Sequence, residues 1–342
     1  MATESYHFPE FDLLPEVDGQ PQGCLWGFFD QGLRRDELGT LNLLTASAVV
    51  KARDEIRCGT HVQLDWNLEG LRFPGCGRIG LTHRVVDLRS EGLVALDDEI
   101  HFNTQNSSQW DSLKHWAVQS KGIFYNNLSF QEAQDTPRNG FHSISTDQLT
   151  PLEIPVAYIY TDVCQKGGIV GRGVLADWVR WWELTRPEIP LPQVNSPHAI
   201  PISEIEEVLN YQNTTPRQGD ILFLRTGYIR WYNQADETSV MQEAGGNIGL
   251  ESNMDSVRWL YSKHFAAVAA DNLAFEAEPA PGGNMLHDWL LGYWGTPIGE
   301  LFDLEGLSQE CERQKRWSFF LTSAPLNVTG GVASPPNAIA IF

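Results

Sequence analysis

The sequence predicts a single mixed α/β domain, and three observations carry that prediction. Runs that alternate like strands are interleaved irregularly with runs of helical period, the pattern of a layered α/β domain. No Gly/Ser- or Pro-rich linker divides the 342 residues, and no internal repeat occurs. At 42% hydrophobic and 20% charged residues, the chain can bury a large core without a metal or disulfide staple.

Taken in order, residues 1–24 open with Pro, Glu and Asp and read as an extended arm, suited to cross onto a second copy. Residues 25–342 read as the domain. "DELGTLNLLTASAVVKARDEI" is a turn and then a helix capped by Thr45. "HVQLDWNL" and "THRVVDLRS" alternate as strands, and "IPVAYIYTDV" is a compact β run. "LADWVRWWELTRPEI" is amphipathic and stops at its proline, while "SEIEEVLNYQ" offers Ser203 and Glu206 as a capping box. "GDILFLRTGYIRWY" reads as a buried β run, and "MDSVRWLYSKHFAAVAADNLAFE" as helix, strand and loop. "MLHDWLLGYWGTPIGELFDLEGLSQECERQKR" is mostly helical, broken at Gly295 and Pro297. The last 26 residues supply strands around a Gly/Pro loop.

A net charge of −20 repels phosphate backbones and anionic lipid, which excludes nucleic-acid and membrane-surface partners. The remaining partner class is a small-molecule substrate. Five dispersed cysteines, without CxxC spacing, read as reduced thiols of a cytoplasmic protein. The N-terminus has no signal-peptide pattern, and no run is long and apolar enough to span a membrane.

The chemistry concentrates in "NTQNSSQWDSLKHW", residues 103–116. Ser108 and Asp111 ahead of the periodic Trp110, Leu113 and Trp116 make a helix-start signature, with Asp111 on the positive end of the dipole. The same geometry has a functional reading. A helix would put Asp111 beside His115 at i+4, with Gln105 and Gln109 in the turn before them. A carboxylate can hold a metal or orient water, and an imidazole can shuttle protons near neutral pH.

This stretch resembles the signature His-x-Gly-Thr-His-x-Asp-x-Pro-x-His of the cyclase family that includes bacterial kynurenine formamidase and isatin hydrolase. Gln105 and Gln109 stand at the two first histidines, Asp111 at the aspartate and His115 at the last histidine. "LGTLNLLT", "GIFYNN", "GIVGRGVLAD", "GDILFLRTG", "ADNLAFE" and "APLNVTGGVASPPNAIAI" also resemble that family, in the expected order. The resemblance implies a kynurenine formamidase-like swivelling β/β/α domain with a β-barrel-like core, and homo-oligomers. It implies that Asp111, with His287 and Glu300, binds metal and that His115 is the acid/base, with Gln109 beside it. Amide oxygens are weaker zinc ligands than imidazoles, so Gln105 and Gln109 shift the expected divalent ion from a two-zinc cluster toward one Mn²⁺, Mg²⁺ or weakly held Zn²⁺. The family resemblance also covers a branch with Gln-x-x-Thr-Gln-Trp-Asp in place of the histidines.

The reading is a hydrolase acting on a cyclic or aryl amide, lactone or related acyl bond. The alternatives are a metal-free cyclase, dehydratase or isomerase of an aromatic metabolite, or an inactive binder. Trp110, Trp116, Tyr125, Trp289 and Trp294 suggest an apolar pocket for a ring-bearing substrate. Arg172, between glycines, either approaches a ligand or makes a turn.

Overall fold

The computed structural model describes residues 6–143, 162–237, 240, 245–280 and 285–342. Its strands are β1 (His61–Gln63), β2 (Thr82–Asp87), β3 (Leu96–His101), β4 (Gln109–Asp111), β5 (Ile123–Phe124), β6 (Leu128–Ser129), β7 (Ile169–Asp177) and β8 (Ala199–Ile200). They continue as β9 (Ile221–Arg225), β10 (Gly249–Leu250), β11 (Ala267–Ala270), β12 (Ile298–Glu300), β13 (Ser318–Ser323), β14 (Ala333–Ser334) and β15 (Ala338–Ile341).

Nine of these form one sheet in the order β1-β15-β13-β7-β9-β11-β12-β4-β14, curled into a half-barrel. The four strands β7, β9, β11 and β12 run parallel, and antiparallel strands flank them on both sides. Parallel strands are covered on both faces, which is why β9 (ILFLR) and β11 (AVAA) are apolar runs buried throughout. Helices Trp178–Thr185, Ile202–Tyr211 and Met254–Lys263 each contribute a buried apolar face to the core. Among the described residues no helix is long and apolar enough to cross a membrane.

Several expectations are corrected. "GDILFLRTGYIRWY" is not one β run. Gly227, at φ 88°, ends the strand segment and opens the helix Tyr228–Gln234. Ser203 is not a cap, because the helix Ile202–Tyr211 has Pro201 at its N-cap and no side-chain cap bond. Glu300 lies on a strand, β12, between the π-helix Asp288–Trp294 and the helix Glu305–Gln314. Most of "IPVAYIYTDV" lies outside the described residues.

The N-terminal arm, where described, folds back onto its own chain and not outward. Phe11 is buried against Tyr261 and Trp289, Asp12 pairs with Arg258 at 2.7 Å, and Tyr261 Oη donates to Pro9 O at 2.7 Å. Glycine is required at Gly23, whose Cβ would stand 2.2 Å from the Phe11 ring. Phe8 stacks on His264 at 4.1 Å.

That stack has a pH consequence. Burial pushes the His264 imidazole down to about 4, against an ordinary value near 6.5. The folded state therefore binds fewer protons than the unfolded chain between those values, and stability falls as pH drops through that window. Thermal unfolding at pH 7 and pH 4.5 should show a smaller loss for His264→Asn, which tolerates the φ of 50° at this helix end. Equal losses in both proteins would remove His264 from the account.

Candidate active site

The signature stretch does not start a helix. Gln109–Asp111 is the strand β4, held between β12 and β14. Pairing on both edges overrides the local helix-start signal. The Ser108 hydroxyl is not a cap but a cross-link, accepting from Trp66 N–H at 2.6 Å and donating to Leu301 O at 2.5 Å.

Strand alternation now does what helical spacing was expected to do. Gln109 and Asp111 share one face of β4 and Trp110 takes the other. Trp110 is 0% exposed, edge-to-face on Phe302 at 5.0 Å, with its Nε1–H on Ser323 Oγ at 2.9 Å. It is a core residue and not a wall of the pocket. Gly299, opposite Trp110 in the ladder, leaves room for the indole, since a Cβ there would lie 2.9 Å from Trp110 Cζ3.

The register sets Glu300 directly across from Gln109, which donates from Nε2 to Glu300 Oε2 at 2.6 Å. Gln109 Nε2 also donates to Gln105 Oε1 at 3.1 Å. Gln105 Nε2 in turn donates to Asp111 Oδ1 and faces His115 Nδ1, the latter at 3.2 Å. A turn after β4, closed by His115 N–H on Ser112 O at 3.0 Å, brings His115 Nε2 to 3.8 Å from Asp111 Oδ2. The amide N–H at Nδ1 makes that nitrogen the acceptor and leaves Nε2 to carry the proton of the neutral ring.

His287, just ahead of the π-helix, completes the cluster. Its Nε2 lies 3.2 Å from Glu300 Oε1, and its Nδ1 lies 2.8 Å from Glu276 Oε2. Glu276 also accepts the His287 backbone N–H at 3.1 Å. Sequence reasoning assigned no role to Glu276, although it ends "ADNLAFE", one of the segments that carried the family resemblance. A carboxylate on the outer nitrogen of an imidazole fixes ring orientation and directs the inner nitrogen at the site. Trp116 forms one wall, its ring edge-on to His287 at 5.2 Å and its Nε1–H on Asp288 Oδ1 at 2.8 Å.

The other expected pocket residues lie elsewhere. Tyr125 is fully buried and donates to Asp36 Oδ2 at 3.0 Å. Trp289 packs against Phe11, and Trp294 donates to Gly23 O at 2.9 Å, so both hold the N-terminal arm. Arg172 sits on β7, separated from β4 by three strands, and pairs with Glu55 at 2.8 Å and Asp220 at 2.7 Å.

One ligand atom from each of Asp111, His287 and Glu300 lies within 4.8 Å of the others, and all three residues are buried. Burial opposes charge on His287, yet Glu276 and Glu300 outweigh it and hold the imidazole well above its ordinary value. Burial and the neighbouring Asp111 push the Glu300 carboxyl up to about 7. Asp111 Oδ2 and Gln109 Oε1 are buried without a hydrogen-bond partner. Three buried carboxyl groups thus face one cationic imidazole, and two oxygens remain unsatisfied. The donor set fits a divalent cation, which would supply the missing positive charge. A second triad, His142, Asp162 and Cys164, is partly exposed, and its carboxylate already accepts the Gln165 and Ser143 N–H groups at 2.9 and 3.2 Å.

Burial pushes His115 below the ordinary imidazole value; Asp111 pulls it back, and His287 and Arg78 add to the push. Its side chain keeps 19% exposure, so it stands at the solvent side of the cluster as a neutral proton acceptor.

Fold and site together define an α/β protein with a buried carboxylate–imidazole centre. Residues 40–277 match the family described as Putative cyclase. The chain belongs to that family. A crystal structure described as a novel cyclase matches with a TM-score of 0.76 at 26% identity, covering 93% of this chain and 99% of its own. Isatin hydrolase A from Ralstonia solanacearum matches with a TM-score of 0.56 at 15% identity, over 87% of this chain and 97% of that one. An isatin hydrolase bound to the product analogue thioisatinate gives 0.55 at 13% identity, over 87% and 99%. At such identities the two hydrolases share the fold with this chain. A search of curated proteins finds no match.

Proposed function

We propose that the chain is a hydrolase that opens a cyclic or aryl amide, a lactone or a related acyl bond of a small ring-bearing molecule, with one divalent cation. The carrying observation is the buried imbalance of charge at Asp111, Glu276, Glu300 and His287, with the unpartnered Asp111 Oδ2. Family membership and the shared fold of the isatin hydrolases support the acyl chemistry. The kynurenine formamidase-like swivelling arrangement belongs to the same proposal.

Asp111, His287 and Glu300 would hold the cation, of the Mn²⁺, Mg²⁺ or weakly bound Zn²⁺ kind. A cation held there would supply Lewis acidity for the scissile carbonyl and for water at neutral pH. Glu276 keeps His287 Nε2 turned inward. Gln105 and Gln109 hold the two carboxylates in place through N–H donation. His115 accepts the proton of the attacking water at Nδ1, where the Gln105 amide yields, and returns it to the leaving group. Trp116 offers a flat apolar wall to a ring.

Metal titration followed by calorimetry checks the site without reference to turnover. The wild type should bind one equivalent of Mn²⁺, and Asp111→Asn should weaken it at least about tenfold. Gln105→His with Gln109→His should tighten Zn²⁺. No tightening in the double variant would overturn this reading of the two amides. Assay against aryl formamides, isatin-like lactams and lactones then identifies the bond. One feature favours the metal-free alternative, a cyclase, dehydratase or isomerase: both glutamines offer N–H groups to the carboxylates. A wild type that binds no divalent ion decides for it.

A further inference from the structure

Arg78 is a cation without a partner in an acidic molecule. The chain has 44 acidic and 24 basic residues. Among the described residues, twelve of its eighteen arginines form ion pairs with Asp or Glu. Arg78 is half-buried, yet its guanidinium has neither an ion pair nor a hydrogen bond among the described residues, and only its backbone N–H is bonded, to Gly75 O at 3.1 Å. A charge that gives up hydration with no carboxylate in return is costly to keep.

Its place is beside the site. Ile79 O, next along the chain, accepts Asn103 N–H at 3.3 Å, and Asn103 Oδ1 accepts Gln105 N–H at 2.9 Å. The Arg78 charge is felt at His115, where it opposes protonation of the ring. A second polar group is left open here. Asn106 is 1% exposed, and neither its Nδ2 nor its Oδ1 has a hydrogen-bond partner. Gly80 lies against it, since a Cβ there would stand 4.0 Å from Asn106 Nδ2. Packing alone gives no reason for a buried carboxamide with both atoms unmatched, because an apolar side chain of that size avoids the desolvation.

We propose that Arg78 and Asn106 form a carboxylate subsite at the mouth of the active site, and that the ring-bearing substrate carries that carboxylate. The inference deepens the hydrolase reading and rests on it for the bond that is broken. The buried Asp111 and Glu300 would repel such an anion, so a site that accepts it needs a cation outside the cluster. A guanidinium presents two parallel N–H groups to a carboxylate, and the Asn106 amide adds a third donor. Asn106 Oδ1 is left to the remaining N–H groups of the guanidinium. With the ring against Trp116 and the carboxylate on Arg78, the substrate is held at two points away from the reacting bond.

Calorimetry of the full chain in saturating Mn²⁺ tests the subsite with benzoate and benzamide, which share a ring and differ in charge. The wild type should bind benzoate at least about tenfold more tightly, the scale of a hydrogen-bonded charge. Arg78→Met should bring benzoate down to the benzamide value and leave benzamide unchanged, while Arg78→Lys keeps part of the difference. The melting temperature of both variants should match wild type, because the Arg78 guanidinium holds no other side chain. Asn106→Leu should also weaken benzoate without lowering the melting temperature, whereas removal of a structural amide would lower it. A wild type with no charge preference overturns the proposal. So does a preference that survives Arg78→Met, which would assign the carboxylate to the metal ion. None of these readouts needs turnover. Benzoate selectivity that is lost with Arg78, in a protein that cleaves no acyl bond, would keep the subsite and remove the hydrolase reading.

Discussion

His115→Ala is expected to lose at least about a hundredfold in turnover, the usual scale for removing a general acid/base. Its fold and metal affinity should stay close to wild type, because the ring sits at the solvent side of the cluster and is not among the three convergent ligand residues. The pH dependence follows from the direction of its shift. Burial lowers the imidazole pKa, so the neutral base is the majority form from below 6.5 upward. Activity should therefore fall only on the acid side of that value, and the variant should lack that limb. Turnover on the true substrate that survives the substitution would reduce His115 to a turn residue.

Trp110→Ala is expected to cost about 3–5 kcal/mol of stability, the range for removing a large aromatic from a packed core. The indole is fully buried, edge-on to Phe302, and donates to Ser323 Oγ at 2.9 Å, so its loss leaves a cavity and removes one hydrogen bond, while the Ser323 hydroxyl keeps its donation to Pro336 O at 2.5 Å. Urea unfolding measures the effect. A stability loss under about 1 kcal/mol, far below the cavity scale, joined to a large rise in KM, would restore Trp110 to the substrate pocket.

The two predictions mark where sequence reasoning succeeded and where it did not. The α/β class was legible because buried parallel strands leave continuous apolar runs, and "ILFLR" is one. The neighbourhood of Asp111 and His115 was legible as well, though for the wrong geometric reason. Asp111 and His115 do meet, but through a strand followed by a turn. Local spacing cannot separate those routes, since Trp110, Leu113 and Trp116 fit a helical face, while the partners that make Gln109–Asp111 a strand lie about 190 and 220 residues away. His287 and Glu300 were reachable only through family resemblance. Glu276 was missed because its role depends on its two hydrogen bonds to His287, and its own segment carries no spacing rule. The alternation of "THRVVDLRS" correctly gave a strand, Thr82–Asp87.

The register between β4 and β12 has a consequence for how this protein can change. Glu300 faces Gln109, and Gly299 faces Trp110, so the reactive groups and the core indole are fixed by the same three rungs. Adding or deleting one residue in either strand would turn every side chain beyond it to the other face. The acids would be driven into the core and the indole into the cavity, so that activity and folding would fail together. Point substitutions at Gln105, Gln109 or His115 leave the rungs in place. Side chains on this frame can thus be exchanged one at a time, whereas the frame itself cannot slip.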